Sequence, residues 1–274
     1  MSFFKLSDET EKCSENLDSI LSEYSSAAIA FSGGVDSTLL LETAYRKKNL
    51  QIMAVTVKTD LNTREETATA VEFLTLRNIK HILLEPDIFT EKKIISNPPD
   101  RCYHCKKFIF TAIRNTATGN GFTVILDGSH SEDLDDYRPG LKALAELGIT
   151  SPLKEAGFRK DNVRELAAFY GLNNWNSEAS PCLATRIPFG NEISKPDLIR
   201  IEAGESFLRK NGFNPVRLRI HGNTARIEIH PDKFSRISDT SLRSAITDYI
   251  KSLGFNYVTL DIEGYRTGSM NIHK

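Results

Sequence analysis

The sequence predicts an α/β fold: an open parallel sheet with helices on both faces, followed by a small α+β C-terminal domain. Three observations carry that expectation. The short apolar run Ala27-Ala-Ile-Ala-Phe31 ends at a pair of glycines, as a strand buried on both faces does. Similar runs then alternate with segments of helical periodicity as far as Leu126, the pattern of βαβ units. Beyond Gly190 the order becomes αββαβ, which sets the division at residues 1–190 and 191–274.

Taken in order, residues 8–24 read as a lead-in helix, 27–31 as the first strand and 36–47 as the helix after it. Ile52–Val57 is the second strand, and a helix runs from about Arg64 to Arg77. His81–Glu85 is the third strand, and Thr123–Leu126 a fourth that leads into Asp127-Gly128. Sheets of this kind bind ligands beyond the carboxyl ends of their strands. The glycine loop, Thr56–Thr59 and Asp127–Ser131 are therefore expected at one edge. In the second part Ile193–Lys210 is an amphipathic helix stopped by Asn211-Gly212. Val216–His221 and Thr224–Ile229 flank a hairpin signal at His221-Gly-Asn223. A helix over Asp232–Leu253 and a strand at Tyr257–Ile262 complete it.

Composition narrows the function classes. The 274 residues are 40% hydrophobic and 26% charged, with a net charge of -1, which argues against a strongly basic nucleic-acid footprint. No apolar run reaches the ~18 residues that span a membrane. The N-terminus, MSFFKLSDETEKC, has no secretory hydrophobic segment, so a cytoplasmic protein is expected, with neither nucleic acid nor membrane as partner.

Ser32-Gly-Gly-Val-Asp-Ser37 lies between a strand and a helix start. Two glycines let the backbone approach an anion and turn its N–H groups inward. The helix N-terminus adds a partial positive charge, and Ser32, Ser37 and Thr38 can donate hydroxyl hydrogen bonds to phosphate. The loop has no lysine of the G-x-x-x-x-G-K-[ST] kind and no G-x-G-x-x-G spacing, which sets aside GTPase-type and dinucleotide sites.

Of the four cysteines, Cys13 stands alone in the first helix and reads as a packing residue. Cys102-Tyr-His-Cys105 opens a predicted helix, and Cys182 follows far along the chain. Three readings stay open on residue type alone. A redox dithiol is one, although the glycine loop argues for another fold. Three cysteines with His104 could close a zinc site. Three thiolates could instead hold a [4Fe–4S] cluster with one iron free of cysteine. Arg101, Lys106, Lys107 and Arg186 lie near these cysteines in sequence, and basic groups there would favour thiolates; Lys107 also reads as a solvated helix face.

The glycine loop resembles the signature of the PP-loop ATP pyrophosphatases, with their Rossmann-like sheet. That resemblance implies an ATP site at Ser32, Gly33, Gly34, Val35, Asp36 and Ser37, with Val57, Asp127 and Gly128 on the neighbouring strand ends. It implies chemistry at the α-phosphate, yielding an adenylated intermediate and pyrophosphate. Asp36 would support Mg²⁺, a hard cation suited to a polyphosphate leaving group.

Further motifs sharpen the resemblance: Asp127-Gly-Ser-His, Asp135-Asp-Tyr-Arg-Pro-Gly-Leu-Lys-Ala143, Ser151-Pro-Leu-Lys-Glu-Ala156, Lys160-Asp-Asn-Val-Arg-Glu-Leu166 and Ser180-Pro-Cys-Leu-Ala-Thr-Arg-Ile-Pro-Phe-Gly190. With Val216-Arg-Leu-Arg219 and Ala225-Arg-Ile-Glu228, they look like the LarE family of ATP-dependent sulfur transferases in nickel-pincer nucleotide cofactor biosynthesis. The resemblance covers essentially the whole chain. It implies a pyridinium-dicarboxylate mononucleotide whose carboxylate is adenylated and then converted to a thiocarboxylate. One branch of that family sacrifices a cysteine; here Cys182 stands one position from that place, after Pro181. With Cys102 and Cys105 present, the chain is similar to the other branch, in which three cysteines hold a [4Fe–4S] cluster that presents sulfide. Cys182 and Asp36 are then the catalytic candidates. Arg186, Glu205, Arg217 and Arg219 are the candidates for substrate binding, and a homo-oligomer is implied.

Arg217 and Arg219 alternate with apolar neighbours, which also fits a solvent-facing strand side. Trp175 could stack on a ring or pack a domain seam. Two rival readings remain, a tRNA thiolase of the same loop family and a nucleotide-binding regulatory protein with structural zinc.

Overall fold

The computed structural model describes residues 5–134, 139–177 and 181–266. In chain order it places α1 at Asp8–Ser22, β1 at Ser26–Ala30, α2 at Val35–Arg46, β2 at Gln51–Val57, α3 at Arg64–Leu76 and β3 at His81–Leu84. There follow α4 at Lys92–Ile95, α5 at Arg101–Gly119, β4 at Ile125–Leu126, α6 at Pro139–Glu146, α7 at Pro152–Glu155 and α8 at Lys160–Phe169. The last elements are α9 at Lys195–Lys210, β5 at Val216–His221, β6 at Thr224–Ile229, α10 at Thr240–Ser252 and β7 at Tyr257–Leu260. The chain divides into two units, Met1–Ile88 with Asp100–Ser180, and Phe89–Pro99 with Pro181–Lys274.

In the first unit the strands run in the order β3-β2-β1-β4, and every pairing is parallel. The two-residue period of a strand sends alternate side chains to opposite faces. Ala27 and Ile29 of β1 join a core with Leu17 and Leu21 of α1, Leu40 of α2 and Leu166 of α8. Ala28 joins Met53, Val55 and Ile125 against Phe110, Ile113 and Ala117 of α5. Both faces are covered, which is why these strands read as continuous apolar runs. β4 is shorter than the expected Thr123–Leu126, and a parallel bridge from Leu126 to Thr150 continues the sheet beyond it.

Helix starts follow local signals. Ser7 caps α1 through the Thr10 N–H, and Thr63 with Glu66 forms a capping box on α3. The motifs over residues 139–169 prove to be three further helices, α6, α7 and α8.

In the second unit β5 and β6 are antiparallel, and β7 pairs parallel to β6. α9 packs on β5 and α10 on β7, burying Leu198, Ile201, Leu218, Ile227 and Ile250. The helix expected over Asp232–Leu253 is instead a 3-10 stretch, Pro231–Ser238, followed by α10. The break falls at Asp239, whose backbone is extended and whose carboxylate accepts the Leu242 N–H at 3.0 Å. A good N-cap residue competes with helix continuation there.

Residues 89–99 group with the second unit through backbone and side-chain hydrogen bonds. The Ile193 N–H donates to Ile95 O at 2.7 Å, the Gly190 N–H to Asn97 O at 2.9 Å, and Asn97 Nδ2 to Pro188 O at 2.8 Å. Among the described residues no helix is long and apolar enough to cross a membrane.

Candidate functional site

The chain passes from β1 to β2 to β3 on one side and returns to β4 on the other side of β1. That reversal opens a crevice at the carboxyl ends of β1 and β4, the usual ligand position in such a sheet. A cleft of about 330 Å³ lies there. Ser32, Gly34, Asp36 and Ser37 form one wall, and Asp127–Ser129 after β4 form another. Val55 and Val57 of β2 and Lys106, Ile109, Phe110 and Ile113 of α5 close it.

The glycine loop is braced from within. Ser37 Oγ accepts the Ser32 N–H at 3.3 Å and donates to Gly34 O at 3.0 Å. Ser32 Oγ accepts the Gly34 N–H at 3.3 Å. Gly34 is the N-cap of α2 and has no side chain to cap the helix, so the positive end of α2 faces the cleft. Gly33 has φ +80°, and a Cβ on it would stand 3.0 Å from Ala70 Cβ of α3. Gly128, in the loop after β4, is pressed on the same helix start: a Cβ there would lie 2.8 Å from Ser37 N and 3.0 Å from the Asp36 carbonyl carbon. Asp127 is buried and accepts from Ser129 Oγ at 2.6 Å and from Ser151 Oγ.

Two contributors escaped the sequence reading. Asn174 Nδ2 donates to Gly33 O and to Thr38 Oγ1, both at 3.0 Å, tying the loop to a distant turn. Its only sequence signal was the asparagine-rich stretch around Trp175, and Trp175 itself is exposed. Lys106, grouped by sequence with the cysteines, lines the nucleotide-sized cleft.

Cys102 and Cys105 occupy the first turn of α5, exposed and half-buried respectively. Three residues apart, they share one helix face, so in spacing and softness they suit a thiolate-bound metal centre. Cys182 is half-buried and belongs to the second unit. Among the described residues no three His, Cys, Asp or Glu side chains form a metal-sized group. Lys107 serves Glu146 instead: Nζ donates to that carboxylate at 2.7 Å and to Tyr103 Oη at 3.0 Å. These bonds push the Lys107 ammonium up to about 12.

The four substrate candidates all lie in the second unit, and all are buried. Arg186 Nε and Nη2 donate to Glu205 at 2.8 and 2.9 Å, and Glu205 also accepts the Leu218 N–H at 3.0 Å. Arg219 pairs with buried Glu228 at 2.8 and 3.1 Å and donates to Thr185 O at 2.8 Å. Arg217 lies over the Tyr265 ring, 5.1 Å from its centroid, and donates to Val216 O at 2.8 Å. Burial, then the nearby Arg186 charge, pulls its guanidinium below the ordinary value, with Glu205 and Tyr265 opposing. The arginine side of β5 therefore faces inward, where period-two alternation had also allowed solvent. Residues 135–138 and 178–180, parts of two motifs quoted above, lie outside the described residues.

No protein-family model matches the chain. An uncharacterized protein of Synechocystis sp. is 37% identical over 258 residues, 94% of this chain and 96% of its own. Another, of Methanocaldococcus jannaschii, is 33% identical over 87% of this chain and 90% of its own. The pyridinium-3,5-bisthiocarboxylic acid mononucleotide synthase of Lactiplantibacillus plantarum is 38% identical over 255 residues, 92% of this chain and 91% of its own. Identity of that level extends along nearly the full length of both chains. The chain belongs to the LarE family, that of pyridinium-3,5-bisthiocarboxylic acid mononucleotide synthase.

Proposed function

We propose that the protein is an ATP-dependent sulfur transferase that converts a carboxylate of a pyridinium-3,5-dicarboxylate mononucleotide to a thiocarboxylate. The observation that carries the reading is the cleft: an uncapped helix start, a glycine loop and Lys106 converge on one polyphosphate-sized space. The named relative acts in the synthesis of such a mononucleotide, by its name. A carboxylate oxygen attacks the α-phosphorus, and the bond to pyrophosphate breaks. Sulfur then attacks the acyl carbon, and AMP departs with the former carboxylate oxygen. Adenylation is needed because a free carboxylate is a poor acyl donor.

In this reading the loop N–H groups with Ser32 and Ser37 hold the pyrophosphate portion, and Val57, Asp127 and Gly128 complete the ATP site. Asp36 offers a hard oxygen to Mg²⁺ beside it. Lys106 offsets charge that develops on the leaving group. Arg217, whose side chain donates to Val216 O and to Tyr265 Oη, binds the mononucleotide phosphate or its second carboxylate, with Arg219 beside it. Cys102, Cys105 and Cys182 would supply thiolates to a [4Fe–4S] cluster. When bound, that cluster would supply the sulfide that displaces AMP. The protein works in the cytoplasm as a homo-oligomer, with sulfide or a sulfur donor as co-substrate.

Anoxically purified protein, given ATP, Mg²⁺, sulfide and the dicarboxylate mononucleotide, is expected to form AMP and a product with sulfur in place of oxygen, read by mass spectrometry. AMP formation that requires tRNA and ignores the mononucleotide would give the case to a thiolase. About four irons per chain are expected; a colourless protein with one tightly held zinc removes the cluster from the mechanism.

Lys106→Ala gives a sharper measurement. Loss of one charge-assisted bond to phosphate is expected to weaken ATP binding about tenfold or more. AMP, which lacks the β and γ groups, should bind nearly as before. Equal losses for both nucleotides in titration calorimetry would remove Lys106 from the polyphosphate.

A further inference from the structure

Arg186 uses its guanidinium in an unusual way for a residue near a substrate site. It is 2% exposed, and two of its nitrogens are taken by Glu205. The third nitrogen, Nη1, points into the turn that carries Cys182. It donates to Pro181 O at 2.6 Å, to Cys182 O at 3.2 Å and to Thr185 Oγ1 at 2.9 Å. The planar fork is thus filled on both sides, and no edge is left to grip an anion bidentately.

The turn is held from other directions as well. Cys182 is the N-cap of the 3-10 turn Leu183–Arg186. Its carbonyl accepts the Thr185 N–H at 3.0 Å and Thr185 Oγ1 at 2.8 Å, besides Arg186. Arg219 donates to Thr185 O at 2.8 Å. Glu205 extends the brace, since it lies on α9 and also accepts the Leu218 N–H of β5 at 3.0 Å. A helix, a strand and the cysteine turn therefore meet at one buried ion pair. The thiol remains half-exposed while the backbone behind it is pinned.

Buried ion pairs are weak devices for stability, because desolvation offsets most of the attraction. They are good devices for geometry. We propose that Arg186 is a positioning residue: with Glu205 behind it, it fixes the Cys182 turn so that the thiol is presented in one place, and it does not itself bind the substrate's anionic groups. The proposal rests on Cys182 being the functional thiol of the reading above, yet thiol presentation can be measured without turnover.

The test uses the full-length, reduced, metal-free protein and iodoacetamide, with alkylation at each cysteine read by peptide mass spectrometry. Arg186→Lys and Arg186→Ala are expected to raise the Cys182 rate about fivefold, the worth of one typical hydrogen bond. Cys102, in the other unit, should keep its rate, and methylguanidine should slow Cys182 again in Arg186→Ala. Nicotinate mononucleotide, as a probe of anion binding, should bind within twofold of the parent. An unchanged Cys182 rate overturns the proposal, as does a tenfold loss of nicotinate mononucleotide affinity. If urea midpoints show that the Arg186 variants do not fold, Thr185→Val takes their place. It removes one donor to the Cys182 carbonyl and leaves the ion pair whole; the Cys182 rate should rise, and no rise overturns the proposal. Absence of sulfur transfer in the earlier assay would leave these readings intact, so the two failures are separable.

Discussion

Gly128→Ala is expected to cripple nucleotide binding while leaving the sheet folded. The added Cβ would meet Ser37 N at 2.8 Å and the Asp36 carbonyl carbon at 3.0 Å. Both are backbone atoms in the first turn of α2, so no side chain can swing aside to relieve the clash. Overpacking of this kind typically costs about 1–3 kcal/mol. Here relief comes most directly by moving the helix start, the part proposed above to meet phosphate. ATP affinity should therefore fall about ten- to a hundredfold. Titration calorimetry measures the loss, and circular dichroism checks that the fold persists. ATP binding as tight as in the parent would show that the approach of Gly128 to α2 has no bearing on the site.

Glu205→Ala should produce the largest loss of stability in the second unit. It removes the partner of a guanidinium that is 2% exposed and also leaves the Leu218 N–H without its acceptor. Breaking one side of a buried pair costs about 3–5 kcal/mol, because the remaining charge stays desolvated. The double change Arg186→Met with Glu205→Leu should cost less than Glu205→Ala alone, since neither charge of that pair is then left buried without its partner. Urea unfolding followed by tryptophan-independent far-ultraviolet signals would rank the three proteins. If the double change were the more damaging, the pair would be stabilising in its own right, and the geometric role argued for Arg186 would lose its premise.

Much of this arrangement could be read along the chain. The glycine loop announced itself because it needs two glycines, a preceding apolar strand and a following helix, all local features. β5 and β6 were legible to the residue, since a hairpin ties register to its turn. The expected helix over Asp232–Leu253 was misjudged for an equally local reason: apolar periodicity continued through Asp239, but capping of Leu242 by its side chain won. Residues 89–99 were opaque to any local rule. Their attachment to residues 187–193 depends on hydrogen bonds across some ninety positions, as from Asn97 Nδ2 to Ile187 O.

By itself, the sequence determined the class of fold, the position of the glycine loop and the set of cysteines, because each is written in spacing and residue type. Only tertiary structure decided what the charged residues do. Arg186 and Arg217 carry the same side chain, yet one is filled by Glu205 and the Cys182 turn while the other lies over Tyr265. Lys106 and Lys107 are neighbours on one helix, yet one lines the cleft and the other serves Glu146. A long charged side chain reaches several ångströms in any direction, and its partner is set by packing that brings distant segments together.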